Sequence, residues 1–203
     1  METKKPKIIV FDIGGVLLDW KGGLSTVSNV LQAPQEKVHM SLMKKLPDLE
    51  LGLIEGGKFW ESMASEYHYS GEPNNLAKHW VTGQYIIPES WNLLRDLKKK
   101  YRVVACTNLW TGMIEELIKN NKDFNLLEIV VDSSAENVSK PDPRMYRIVE
   151  ERTGEHGDNL FLIDDSLQNC ESANNCGWQS LVFSLGNDGG KEYCDKLRNI
   201  LLY

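Results

Sequence analysis

The chain has 203 residues, 41% of them hydrophobic, and a formal net charge of −6. That is enough apolar material for one domain of ordinary size plus a smaller one. The negative balance argues against a nucleic-acid or anionic-membrane partner, and no apolar run approaches the roughly 18 residues of a membrane helix. The basic start, Met1 to Lys7, resembles a signal peptide only until Asp12 and two glycines interrupt the apolar stretch behind it, so a cytoplasmic protein is expected.

Ile8 to Phe11 is an apolar, β-branched run that predicts a buried parallel strand, and it delivers Asp12 to the strand's end just before Gly14-Gly15. Four similar runs follow, at Arg102 to Cys106, Glu128 to Val131, Leu160 to Ile163 and Ser180 to Phe183. Helical patterns lie near Glu89 to Lys100, Trp110 to Asn121, Pro143 to Thr153, Leu167 to Cys176 and Lys191 to Leu202. Strand alternating with helix predicts an α/β fold, a Rossmann-like, doubly wound parallel sheet covered on both faces.

The connection from Asp19 to Pro88 is far longer than one crossover helix needs. Helical spacing recurs in it near Leu24 to Leu31, Val38 to Leu46, Phe59 to Tyr67 and Leu76 to Val81, with Gly52, Gly56-Gly57 and Gly71 with Pro73 as expected separators. An inserted helical domain over residues 19–88, with residues 1–18 and 89–203 forming the α/β core, is the resulting division. Its stalks leave beside Asp12, which makes the insertion a candidate lid.

Lys44-Lys45 and Lys98-Lys99-Lys100 read as solvated helix faces. Cys106, Cys170, Cys176 and Cys194 form no Cys-x-x-Cys pair and read as free thiols; His39, His68, His79 and His156 lack ligand spacing.

Three further segments bear on this reading, two of them at the ends of strands. Thr107-Asn108 offers a hydroxyl and an amide to phosphate oxygens, or caps the next helix. In Ser139-Lys140-Pro141-Asp142-Pro143 the prolines hold Lys140 in an extended segment ahead of a helix, which aims one ammonium inward. Asp164-Asp165 is a pair of adjacent carboxylates that repel one another and lose hydration, a costly arrangement without a divalent cation. Few, hard oxygen ligands suit Mg²⁺. Asn169 stands one helical turn beyond.

F-D-I-G-G-V-L-L-D, C-T-N, K-P-D-P-R-M-Y and L-F-L-I-D-D-S-L-Q-N, in this order, resemble the four motifs of the haloacid dehalogenase superfamily. The helical insertion resembles its C1-type cap, as in the branch that includes sugar phosphatases and the N-terminal phosphatase domain of epoxide hydrolases. The resemblance implies a Mg²⁺-dependent hydrolase acting on a small phosphorylated molecule. Asp12 would be the nucleophile, Thr107 and Asn108 would hold the phosphoryl group, and Lys140 would neutralise charge on both. Mg²⁺ would be bound by Asp12, the Gly14 carbonyl and Asp165, with Asp164 behind or sharing the metal.

One position departs from the pattern. Phosphatases of the superfamily usually place a general-acid aspartate two residues after the nucleophile, and here that position is Gly14. General acid catalysis is worth about 10²–10⁴ in rate. Asp19 and His68 are candidate replacements, and Trp20, Lys21, Trp60, Tyr67 and His68 are candidate substrate contacts in the cap. Three readings follow: a phosphatase, of sugar phosphates or similar esters; a 2-haloacid dehalogenase, which needs no such acid but usually carries a cap arginine, absent between Asp19 and Pro88; and a non-catalytic phosphate- or partner-binding protein.

Overall fold

The structure, a computed structural model, describes residues 5–110 and 112–203. Strand β1 (Ile8–Phe11) is followed by a two-residue strand β2 (Leu18–Asp19) and four helices, α1 (Lys21–Val30), α2 (Gln35–Glu50), α3 (Gly56–Glu66) and α4 (Pro73–Gly83). The chain returns through β3 (Tyr85–Ile86) to α5 (Pro88–Leu97), β4 (Arg102–Thr107), α6 (Met113–Asn120) and β5 (Val130–Asp132). There follow α7 (Ser133–Glu136), α8 (Pro143–Thr153), β6 (Leu160–Asp164), α9 (Leu167–Asn175), β7 (Gln179–Val182) and α10 (Lys191–Leu201).

The main sheet runs β5-β4-β1-β6-β7, with every neighbouring pair parallel. Alternation along the central strands explains the two-sided burial: Ile9, Phe11, Val103, Ala105, Phe161 and Ile163 face one hydrophobic cluster, and Ile8, Val10, Val104, Cys106, Leu160 and Leu162 the other. Side chains of α5 and α10 build the first cluster, those of α8 and α9 the second. Parallel strands buried on both faces read as unbroken apolar runs, and these do.

The insertion hangs on the short antiparallel ladder β2–β3, which pairs Leu18 with Ile86 and Asp19 with Tyr85. Leu17 locks the return, its carbonyl accepting from the Ile87 amide (3.0 Å) and the Trp91 indole (3.1 Å). Apolar residues of α1 to α4 belong to the same cluster as the α5 side of the sheet, so the insertion is packed onto the core. Gly56-Gly57, expected to separate helices, instead form the first turn of α3. Lys98, Lys99 and Lys100 are exposed, as expected. No helix among the described residues is long and apolar enough to cross a membrane.

Candidate active site

β1, β4 and β6 all end at one edge of the sheet, and the register Phe11↔Ala105 and Phe11↔Ile163 brings Asp12, Thr107 and Asp164 together there. Lys140 arrives from the loop before α8. Its Nζ lies 3.1 Å from Asp12 Oδ1 and donates to Asp164 Oδ2 at 2.6 Å. All three groups are buried. Asp164 Oδ1 also accepts from Asn169 Nδ2 and the Ser166 amide, each at 2.9 Å, so both of its oxygens are engaged inside the protein.

Asp165, by contrast, is exposed toward the cavity that Asp12, Thr107 and Lys140 also line. The two adjacent aspartates thus differ in surroundings: one braces Lys140 from below, the other is free to meet a ligand. Gly15 makes room for that second carboxylate, since a Cβ at this position would fall 2.0 Å from Asp165 Oδ2, and its φ is +73°. Gly14 does not have a positive φ, and a Cβ built on it meets nothing within 4 Å.

Asn108 is placed at the cavity, but both ends of its amide are tied to the Lys140 backbone: Nδ2 donates to the Lys140 carbonyl (3.0 Å) and Oδ1 accepts from its amide (2.9 Å). Of the other candidates, Trp20 and Trp60 line the cavity while Asp19, Lys21, Tyr67 and His68 do not. Asp19 accepts from the Lys21 amide (3.0 Å), and the Tyr67 hydroxyl lies 2.9 Å from Ser41 Oγ.

The electrostatics are unbalanced toward negative charge. Burial pushes the Asp12 carboxyl up to about 7; Lys140 opposes this, while Asp164 and Asp165 add to it and a hydrogen bond from Thr107 counters it. Burial opposes the charge on Lys140, but Asp12 and Asp164 hold its ammonium charged. Carboxylate oxygens of Asp12, Asp164 and Asp165 lie within 4.8 Å of one another. Three carboxylates against one ammonium leave a deficit that a hard divalent cation fits, and the all-oxygen donor set suits one.

Above this floor the cavity, about 280 Å³, is walled by Trp20, Trp60, Trp80 and Trp110 together with Leu42, Met43, Leu46 and Phe59. Trp110 follows β4; the other three tryptophans belong to the insertion. Trp60, Trp80 and Trp110 pack as a triangle with ring centroids 6.1–6.4 Å apart, so the two parts of the chain meet through aromatic contacts. Trp60 Nε1 and Gln84 Nε2 are buried donors without a hydrogen-bond partner.

Sequence reasoning missed two polar residues of this wall, Gln84 and one that ionises. Glu50, the last residue of α2, lines the cavity with Asp12 and Lys140. Burial pushes its carboxyl up to about 7, with the Asp12 charge adding and Lys140 opposing. The only sequence signal was a glycine two residues on: Gly52 has φ +68° and runs so close to the core that a Cβ would sit 2.6 Å from the Ser134 carbonyl.

A carboxylate and lysine cluster at the carboxyl edge of a Rossmann-like sheet, roofed by a helical insertion, belongs to a hydrolase class. Residues 6–177 match the haloacid dehalogenase-like hydrolases, and the chain belongs to that family. Among curated proteins it is similar to a drimenol cyclase of Aspergillus calidoustus, 23% identical over 87% of this chain. The chain spans only 34% of that protein's length. It is also similar to a sesquiterpene phosphatase of Aspergillus oryzae, 24% identical over 86% of this chain and 88% of the relative.

Among solved structures, a family enzyme of Bacteroides thetaiotaomicron in complex with magnesium and inorganic phosphate has a TM-score of 0.74 at 23% identity, covering 90% of this chain and 96% of its own. The L-2-haloacid dehalogenase of Xanthobacter autotrophicus shares the fold at a TM-score of 0.68 and 18% identity, covering 86% and 76%.

Proposed function

We propose that the protein is a Mg²⁺-dependent phosphatase that hydrolyses the phosphate monoester of an apolar alcohol through an aspartyl-phosphate on Asp12, with residues 19–88 as the cap over a core of 1–18 and 89–203. One observation carries this reading. A charged floor of Asp12, Thr107, Lys140 and Asp165 opens directly into a chamber walled by tryptophan and aliphatic side chains, so a phosphate head and a hydrocarbon body have separate places. The similarity to a sesquiterpene phosphatase supports the same pairing.

Asp12 Oδ attacks phosphorus; the phosphorus–ester oxygen bond breaks, and water then cleaves the acyl phosphate. Thr107 donates to the phosphoryl oxygens, Lys140 offsets the charge that gathers on phosphate and nucleophile, and Asn108 fixes the backbone that carries Lys140. Asp12, Asp165 and the Gly14 carbonyl would hold Mg²⁺, which would orient the phosphate and keep Asp12 ionised. Asp164 orients Lys140.

The chamber fits a hydrocarbon better than a sugar, whose hydroxyls would exchange water for indole and aliphatic faces with few partners. Dehalogenation is disfavoured by the absence of arginine between Asp19 and Pro88: Lys140, the one cationic side chain lining the cavity among the described residues, is already paired with two aspartates. A purely binding role leaves the Asp12 and Lys140 pairing at the phosphate position without a purpose.

The test is a series of n-alkyl monophosphates, geranyl monophosphate and glucose 1-phosphate, each assayed with Mg²⁺ or EDTA. At about 0.8 kcal/mol per buried methylene, kcat/KM should rise about fourfold per methylene until the chamber is full. A flat series, or a preference for the sugar ester, would overturn the apolar assignment.

A further inference from the structure

The missing acid at Gly14 has a replacement in the cap. We propose that Glu50 is the general acid and base of the reaction, reaching the scissile oxygen from the roof of the cavity; this rests on the phosphatase reading above.

Displacement at phosphorus is in line, so the leaving oxygen departs on the side opposite Asp12. Asp12 sits in the floor, at the sheet edge, and the departing oxygen therefore faces the insertion. Among the described residues, the ionisable side chains that line the cavity are Asp12, Glu50, Lys140 and Asp165. Three come from the core and are committed: Lys140 is paired with Asp12 and Asp164, and Asp165 stands in the carboxylate cluster. Glu50 comes from the cap.

Its carboxyl has no hydrogen bond or ion pair among the described residues, so no structural partner competes for its proton. Neither Asp19 nor His68, the other candidates, lines the cavity.

The backbone also fixes Glu50 in place. Gly52, two residues on, lies against the Ser134 carbonyl of α7, which seats the end of α2 on the turn of helix that follows β5. The proton-holding form that an acid needs at neutral pH is supported by burial, which raises the Glu50 carboxyl to about 7.

In the first step the Glu50 carboxyl gives its proton to the ester oxygen as the phosphorus–oxygen bond breaks, releasing the alcohol and leaving Glu50 as carboxylate. In the second, that carboxylate takes a proton from water while the water oxygen bonds to phosphorus and the phosphorus–Asp12 bond breaks. Phosphate leaves, Asp12 is a carboxylate again and Glu50 is protonated again.

The experiment compares Glu50→Gln with wild type, both with Mg²⁺, on geranyl monophosphate and on p-nitrophenyl phosphate. Nitrophenolate leaves without a proton, so the variant should release a burst of about one nitrophenolate per site and then turn over at least 100-fold more slowly than wild type. The alkyl ester should show no burst and a loss at least as large. Gly14→Asp added to Glu50→Gln should recover at least tenfold of the lost alkyl rate, since space is open at that Cβ.

Wild-type rates in Glu50→Gln would overturn the proposal, as would an equal slowing of both esters with no burst and no recovery. A wild type inactive on every phosphate ester would instead overturn the phosphatase reading and this proposal with it. Should Glu50→Gln fold poorly, Glu50→Asp, shorter by one methylene, carries the same comparison, with the burst expected and its absence contrary.

Discussion

Asn108 and Lys140 are joined by a reciprocal pair of hydrogen bonds, 3.0 and 2.9 Å, that ties a side chain at the end of β4 to the backbone of a residue thirty-two positions later. The pair fixes where the Lys140 ammonium emerges, and hence its reach to Asp12 and Asp164. Asn108→Ala should lower kcat about 10- to 100-fold and destabilise the fold by about 2 kcal/mol, because two partially buried backbone groups lose their partners. Turnover and thermal denaturation measure the two effects. A variant that loses stability but keeps full kcat would contradict a positioning role.

The acidic pair should separate in calorimetric titration with Mg²⁺. Asp165→Asn is expected to weaken binding at least 100-fold while Tm stays near wild type, because its side chain is exposed to the cavity. Asp164→Asn should weaken it less, about 10-fold or somewhat more, as groups behind a metal ligand do. It should also cost about 3–5 kcal/mol of stability through the lost partner of a buried ammonium. Equal, negligible effects on binding would place the metal elsewhere.

Glu50 has a consequence for metal-free stability. Its carboxyl is raised from 4.5 to about 7, so across that interval the folded chain binds more protons than the unfolded one and stability falls as pH rises. The contribution is fully lost above about 7 and approaches, at most, on the order of 3 kcal/mol. The facing charges are Asp12, Asp165 and Lys140, and all remain in Glu50→Gln. Urea titrations between pH 4.5 and 8 without metal should show a shallower decline in that variant; parallel curves would mean that Glu50 is not so shifted.

Much of this was legible along the chain because parallel strands announce themselves as apolar runs, and Asp12, Thr107 and Asp164-Asp165 directly terminate three of them. Lys140 was legible from the prolines beside it. The difference between Asp164 and Asp165 was not, because it depends on which side chain Lys140, Ser166 and Asn169 reach.

Strands β2 and β3 are too short to leave a period, and Ser133–Glu136 is one turn of helix closed by its Asp132 cap. Glu50 lay beyond the helical spacing of Val38 to Leu46, because α2 runs on through Pro47 to Glu50. Only the seating of Gly52 on α7 brings it to the cavity that Asp12 and Lys140 line, a contact between segments remote in sequence.

The positive φ beside the nucleophile belongs to Gly15 and not to Gly14. Gly14→Asp should therefore fold, with Tm near wild type. It should raise the rate on alkyl monophosphates relative to p-nitrophenyl phosphate, by supplying a second proton donor beside the nucleophile. A folded variant with an unchanged ratio of the two rates would mean that protonation of the leaving oxygen does not limit the wild type.

The most direct measurement is phosphate release from geranyl monophosphate by wild type and Asp12→Asn, each with Mg²⁺ and with EDTA, alongside circular dichroism of both proteins. Wild type with Mg²⁺ should turn over, while EDTA or the amide at position 12 should each lower the rate at least about 10³-fold with the fold intact, since removal of a nucleophile leaves only the residual catalysis of binding. A folded Asp12→Asn protein that releases phosphate as fast as wild type would contradict phosphoryl transfer to Asp12.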